Sequence, residues 1–162
     1  MRGDRFRVAA SSFFQVNTAQ LSRAVDEVRE LLDFDGSEVM IDAYCGVGVF
    51  AVLLAPYVRR VIGIEESASA IEDAKLNAEG VENVEFIEGK TELVLRTWPE
   101  SWPGAAPGAD IENGGMDALL LDPPRVGCHP DVLKSVKKLR PKKALMISCE
   151  PAAMAQIGRA HV

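Results

Sequence analysis

The chain has 162 residues, of which 48% are hydrophobic and 26% charged, with a formal net charge of −6. This length supports one domain with a substantial core, no apolar run is long enough to span a bilayer, and the acidic balance argues against a surface that grips nucleic acid by bulk electrostatics. The cysteines Cys45, Cys128 and Cys149 are widely spaced and form no Cys-x-x-Cys pair, which points away from a disulfide framework or a zinc site. With no apolar core of a signal peptide in Met1–Phe6, reduced thiols and a cytoplasmic location are expected.

The segment Asn17-Thr18-Ala19-Gln20 reads as a capping-box variant, and Leu21, Ala24, Val25, Val28, Leu31 and Leu32 follow at helical spacing, predicting a helix over 18–33. A buried strand over 39–42 then runs into Cys45-Gly46-Val47-Gly48, with an apolar helix over 49–54. A second strand over 61–65 leads to a helix over 67–78 that ends before Gly80, and Val84-Glu85-Phe86-Ile87 supplies a third strand. The stretch 98–115, rich in Pro, Gly and Ala, reads as an irregular surface insertion. A fourth strand over 118–122, a helix over 130–139 and a fifth strand over 144–148 complete the pattern. Alternating βα units of this kind predict a doubly wound, Rossmann-like α/β fold with a mostly parallel sheet.

Chemistry concentrates where the strands end. Gly46 and Gly48 follow the first strand, where residues without a β-carbon let the backbone approach a ligand at a helix start. The turn lacks the third glycine of a dinucleotide fingerprint and the Lys-Ser/Thr of a phosphate loop, which favours a cofactor without pyrophosphate. Glu65 closes the second strand, where an acidic side chain can accept from both ribose hydroxyls, with capping of the next helix as the lesser alternative. Asp122-Pro123-Pro124-Arg125 follows the fourth strand, its prolines holding the chain extended. Cys149 ends the fifth, a position that suits a nucleophile or a small buried hydrophobe. Gly46, Asp122 and Cys149 are expected to share one crevice.

The basic run Lys134, Lys137, Lys138, Arg140, Lys142 and Lys143 reads first as a solvated helix end that meets the helix dipole, with nucleic-acid contact as the alternative. His129 reads as a surface residue rather than a base.

Five motifs in order, Phe13-Phe14-Gln15-Val16-Asn17, Asp42-Ala43-Tyr44-Cys45-Gly46-Val47-Gly48-Val49-Phe50, Gly63-Ile64-Glu65, Asp122-Pro123-Pro124-Arg125 and Ser148-Cys149-Glu150-Pro151, resemble those of the RNA uracil-5-methyltransferases. The resemblance implies an S-adenosylmethionine-dependent enzyme making 5-methyluridine in tRNA or rRNA. It places Gln15, Tyr44, Gly46, Gly48, Val49, Glu65 and Asp122 at the cofactor and makes Cys149 the nucleophile, with no metal. Uracil C5 is a poor nucleophile, so in this family a thiolate adds to C6, C5 takes the methyl, and a base removes the C5 proton to expel the cysteine.

The chain departs from the family pattern in several places. Glu150 stands where the family usually has Asn, a carboxylate that would raise the neighbouring thiol pKa, and Val49 replaces a polar residue, leaving its backbone amide for any contact. The family's amino-terminal RNA-binding β-barrel, its last two strands and its catalytic glutamate have no counterpart. The expected organisation is therefore a remnant of a preceding region (1–16), a partial cofactor-binding catalytic domain (17–156) truncated after strand five, and a non-native tail (157–162), with RNA held by other regions and the fragment inactive alone. A non-catalytic cofactor-binding module, or a methyltransferase acting on cytosine C5 or an exocyclic amine, are the alternatives.

Overall fold

Runs of branched apolar residues begin each βα unit, and they form the strands. In the computed structural model, which describes residues 18–98 and 115–148, β1 (Val39–Ala43), β2 (Arg60–Glu65), β3 (Val84–Glu88), β4 (Ala118–Leu121) and β5 (Lys143–Met146) form one parallel sheet in the order β3-β2-β1-β4-β5. The helices are α1 (Thr18–Leu32), α2 (Val49–Leu54), α3 (Ala68–Asn77), α4 (Thr91–Arg96) and α5 (Pro130–Leu139). Every residue of β1 and β4 is buried, as expected for central strands covered on both faces.

Side-chain alternation divides the core. Ile41 and Ala43 face Val94 and Leu95 of α4 and Val132 and Leu139 of α5. Met40 faces the other way, toward Val28 and Leu32 of α1 and Ala51 and Leu54 of α2. Met40, Ile41, Ile62, Leu119 and Leu120 are fully buried, each contributing about 1.5–3 kcal/mol. After β3 the chain crosses through α4 to the far side of β1, so β1 and β4 flank the point where strand order reverses. Ligands of open α/β sheets bind outside the carboxyl ends of strands at such a point.

Acidic groups at the opposite, amino edge are satisfied structurally. The Glu38 carboxylate accepts from the Asp35 and Gly36 amides at 3.0 Å each. Asp117 accepts from the Val39 amide at 2.9 Å and pairs with Lys142 at 2.8 Å. Lys143 donates to the Asp33 carbonyl beyond α1, and Lys134 pairs with Asp131. Three members of the basic run are thereby engaged within the fold.

Several elements differ from expectation. Helix α4 was not anticipated, because one of its three buried positions is the polar Thr91; it buries Thr91, Val94 and Leu95 at the i, i+3, i+4 spacing. Trp98, read as the start of a surface insertion, is buried against the α4 and α5 side of the core; the rest of that stretch, 99–114, lies outside the described residues. Strand β4 stops at Leu121, and the Asp122 amide instead donates to the Ala43 carbonyl of β1 at 3.2 Å. β5 begins one residue early and ends at Met146, although the Ile147 amide still reaches the Leu121 carbonyl at 2.8 Å. Helices α1 and α3 are shorter than expected by one residue and by two.

Gly63, in the middle of β2, is required by its neighbours. A β-carbon there would lie 2.5 and 2.7 Å from the Phe86 ring and 2.9 Å from the Cys45 sulfur. Gly63→Ala is expected to destabilise the chain by about 1–3 kcal/mol through overpacking, seen as a lower urea midpoint.

Candidate functional site

The turn from β1 into α2 combines three left-handed residues within five positions: Tyr44 (φ 64°), Gly46 (φ 53°) and Gly48 (φ 79°). The glycines adopt such angles without strain, whereas Tyr44 carries the cost that left-handed backbone imposes on a residue with a β-carbon, about 1–2 kcal/mol. Strain of this kind persists where the surroundings over-determine the conformation. Here the Cys45 amide donates to the Ile64 carbonyl at 3.0 Å, the Gly48 amide to the Cys45 carbonyl at 2.9 Å, and the Asn77 side chain to the Val47 carbonyl at 2.9 Å.

The two glycines serve different purposes. A β-carbon on Gly48 would meet Phe86 at 2.9 Å and Ala74 at 3.1 Å, so that glycine permits close packing of α3 and β3. A β-carbon on Gly46 would meet nothing within 4 Å. The space above Gly46 is open, and a ligand can approach the backbone there. Val49, as the first residue of α2, has a backbone amide with no intrahelical acceptor.

Glu65 lies at the carboxyl end of β2 and joins this turn to the next unit. One carboxylate oxygen accepts from the Gly46 amide at 3.1 Å and the other from the Ser67 amide at 2.9 Å. Ser67 in turn caps α3, its hydroxyl accepting from the Ala70 amide. The helix-entry role and the position expected of a ribose ligand are thus combined in one side chain.

Asp122 stands just past β4, and burial raises its carboxyl to about 6. Asp42 lies deeper, on β1 itself. It is 1% exposed, and neither of its oxygens has a hydrogen-bond partner. Burial first, then the charge of Asp122 and to a lesser degree that of Glu65, push it up to about 8, while the Ala51 amide, though not in hydrogen-bond geometry, pulls the other way. In the sequence Asp42 stands only at the opening of a motif. Its signal was an acid inside a strand otherwise apolar and buried throughout.

Tyr44 is half-buried, its hydroxyl enclosed without a hydrogen-bond partner; burial and the neighbouring Cys128 raise it to about 12. Cys128 is held at about 11 by burial, with its sulfur 3.7 Å from that of Met146. The Cys45 thiol is pushed well above the ordinary range by burial and by Asp42 and Glu65. His129 is half-exposed and caps α5, its ring accepting from the Asp131 amide at 3.2 Å.

Gly46, Glu65, Asp42 and Asp122 therefore gather at one edge of the sheet, around the reversal of strand order. Gln15 and Cys149 lie outside the described residues. Among the described residues no set of three or more His, Cys, Asp or Glu side chains is grouped to hold a metal ion, and no helix is long and apolar enough to cross a membrane.

An uncharacterized RNA methyltransferase of Oceanobacillus iheyensis is 40% identical over 93% of the chain, and one of Listeria monocytogenes 39% over 93%. The chain spans 31% of the length of each of these relatives. Among solved structures, the Pyrococcus abyssi tRNA (uracil-54, C5)-methyltransferase in complex with S-adenosyl-L-homocysteine superposes with a TM-score of 0.72 at 28% identity, covering 95% of this chain and 34% of that one. A precorrin-8w decarboxylase from Methanobacterium thermoautotrophicum shares the fold, with a TM-score of 0.72 at 21% identity over 96% of this chain and 77% of that one. The family described as tRNA (Uracil-5-)-methyltransferase matches residues 2–158, and the chain belongs to it.

Proposed function

We propose that this chain is the cofactor-binding and nucleophile-bearing part of an S-adenosylmethionine-dependent methyltransferase acting on C5 of uridine in tRNA or rRNA. The observation that carries this reading is the Gly46–Glu65 junction beside Asp122, an open backbone cradle flanked by carboxylates in a chain of this family. The Pyrococcus relative's complex with S-adenosyl-L-homocysteine supports the choice of cofactor. Residues 17–156 form the cofactor-binding domain in this reading, and the acidic charge of the chain leaves most of the RNA grip to other regions.

Each side chain has a chemical task. A carboxylate offers about four lone-pair directions, and Glu65 spends one per oxygen on the Gly46 and Ser67 amides. Those remaining suit two ribose hydroxyls. Gly46 lets the ligand lie against the backbone, and the Val49 amide is free to donate. Gln15, Tyr44 and Asp122 complete the cofactor contacts at the family's positions. When bound, the cofactor supplies an electrophilic methyl group on a sulfonium centre. Cys149, as thiolate, forms a bond to uracil C6, and the electron pair of the C5–C6 double bond moves toward C5 and O4, making C5 nucleophilic. Once C5 carries the methyl, its proton leaves to a base, the double bond re-forms and the Cys149 sulfur departs with its electron pair. The strand β5 runs beside β4 and delivers the chain toward this edge at Ser148, which supports that role for the next residue.

Two experiments test the reading. In calorimetry with S-adenosylmethionine, Glu65→Gln is expected to weaken binding at least about tenfold, because the new amide turns a donor toward Gly46 or Ser67. Gly46→Ala, whose β-carbon would fill the cradle, should lose more in binding than the about 1–2 kcal/mol it costs in folding. RNA containing 5-fluorouridine cannot release the C5 substituent as a proton, so with the full-length protein it should form a covalent adduct that Cys149→Ala abolishes. An equal adduct from the Cys149→Ala protein would refute the nucleophile.

A further inference from the structure

The carboxylates at the site are arranged unlike structural ones. Asp42 carries two buried oxygens without a hydrogen-bond partner, and the groups that act on it are themselves acidic: Asp122 from β4 and Glu65 from β2. The Cys45 thiol of the turn faces it as well. Helix α2, packed over the same side of the sheet, contributes Val49–Leu54, all apolar, and only the Ala51 amide. Gly63 and Leu120 flank Asp42 in the sheet and bring no charge. The charged residues of α1 that lie across this layer, Arg23, Asp26, Glu27 and Glu30, point to solvent, and Arg29 stacks on Tyr57. No cation among the described residues acts on Asp42.

A buried carboxylate with no hydrogen bond of good geometry, one backbone amide nearby and no counter-ion is strongly disfavoured, and the group resolves this by keeping its proton. An incoming positive charge reverses that preference. S-adenosylmethionine carries a sulfonium and an α-ammonium against one carboxylate, for a net charge of +1, whereas the demethylated thioether carries none.

We propose that Asp42 is a proton switch coupled to the charge of the cofactor: it holds a proton when the site is empty, releases it to solvent as the sulfonium form binds, and regains it once the methyl has left. The inference rests on the cofactor reading above. On binding, the Asp42 O–H bond breaks heterolytically, the electron pair stays on the carboxylate and the proton passes to water; after transfer, a proton from water restores the acid. Affinity for the sulfonium form therefore falls as pH is lowered below about 8, by up to about tenfold per pH unit, and affinity for the thioether falls less. Asp42 acts as a positioning residue that makes the site favour fresh cofactor over spent product, most strongly on the alkaline side.

Calorimetry of S-adenosylmethionine binding in buffers of different ionisation enthalpy counts the protons released. The expected result at pH 7 is roughly one proton per cofactor, falling to about half at pH 8 and to little by pH 9, with fewer released by S-adenosylhomocysteine and few by either ligand in Asp42→Asn. The unfolded chain holds this carboxyl near its ordinary value while the fold raises it, so the empty wild-type protein loses stability as pH rises from about 4 to 8. In urea, its midpoint should fall across that window, and the Asp42→Asn midpoint should fall less. If that variant does not fold, carbon NMR of aspartate-labelled wild-type chain should show one buried carboxyl titrating near pH 8 when empty and well below it with cofactor bound. Binding without proton release, or equal release by the two ligands, overturns the switch and leaves the cofactor reading standing. Failure of either ligand to bind overturns both.

Discussion

The Glu65 carboxylate, shared between the backbone amides of Gly46 and Ser67, is the interaction on which the candidate site depends. It fastens the end of β2 to the strained turn after β1 and to the start of α3, so three units meet at one side chain. Hydrogen bonds to a charged group contribute about 1.5–3 kcal/mol each, comparable with the cost of the left-handed backbone at Tyr44. The turn is held open before any ligand arrives. Such pre-organisation removes an ordering cost from binding, and it explains why a residue suited to a ribose also has a folding role.

The two ends of β4 show how the fold separates structural from functional acids. Asp117, before the strand, accepts from the Val39 amide and pairs with Lys142, and these partners hold its carboxyl below the usual value despite partial burial. Asp122, after the strand, is raised by burial, and no ion pair lowers it. Glu38 on the amino edge and Asp42 on the carboxyl side of β1 repeat the contrast: the first is satisfied by two loop amides, the second has no hydrogen-bond partner. Unsatisfied acid therefore accumulates at the one edge where sheet topology places ligands. Lys142 and Lys143 are engaged at the amino edge and Lys134 on α5.

Most of this architecture was legible in the sequence, because each strand is a short apolar run bounded by Gly, Pro or charge and each long helix shows its period. Strand adjacency followed from the βα alternation, which is why Gly46 and Asp122 could be expected at one crevice. Helix α4 was hidden by the polar Thr91 at one of its buried positions, and the burial of Trp98 by the Pro- and Gly-rich stretch that follows it. The capping role of His129 was also unseen, since its ring substitutes for the Ser, Thr or Asp that usually signals a helix start. Asp42 was passed over for a different reason. Its importance lies in what surrounds it, two acids distant in sequence, Glu65 and Asp122, and no cation among the described residues, and no local pattern encodes a missing partner.

The same electrostatics bears on which thiol can react. Nucleophilic attack needs a thiolate, and a thiolate needs exposure or a nearby positive charge. Cys45 lies buried against Asp42 and Glu65, which oppose its ionisation, and Cys128 is enclosed beside the Tyr44 hydroxyl. Both are held as neutral thiols and act as small apolar groups, Cys45 filling the space left by Gly63 and Cys128 packing near Met146. The two described cysteines are therefore both enclosed and protonated, which leaves the proposed nucleophile to Cys149. The carboxylates at this edge of the sheet also keep its nearest thiol, Cys45, protonated, so the residue beside the cofactor turn is unsuited to nucleophilic attack.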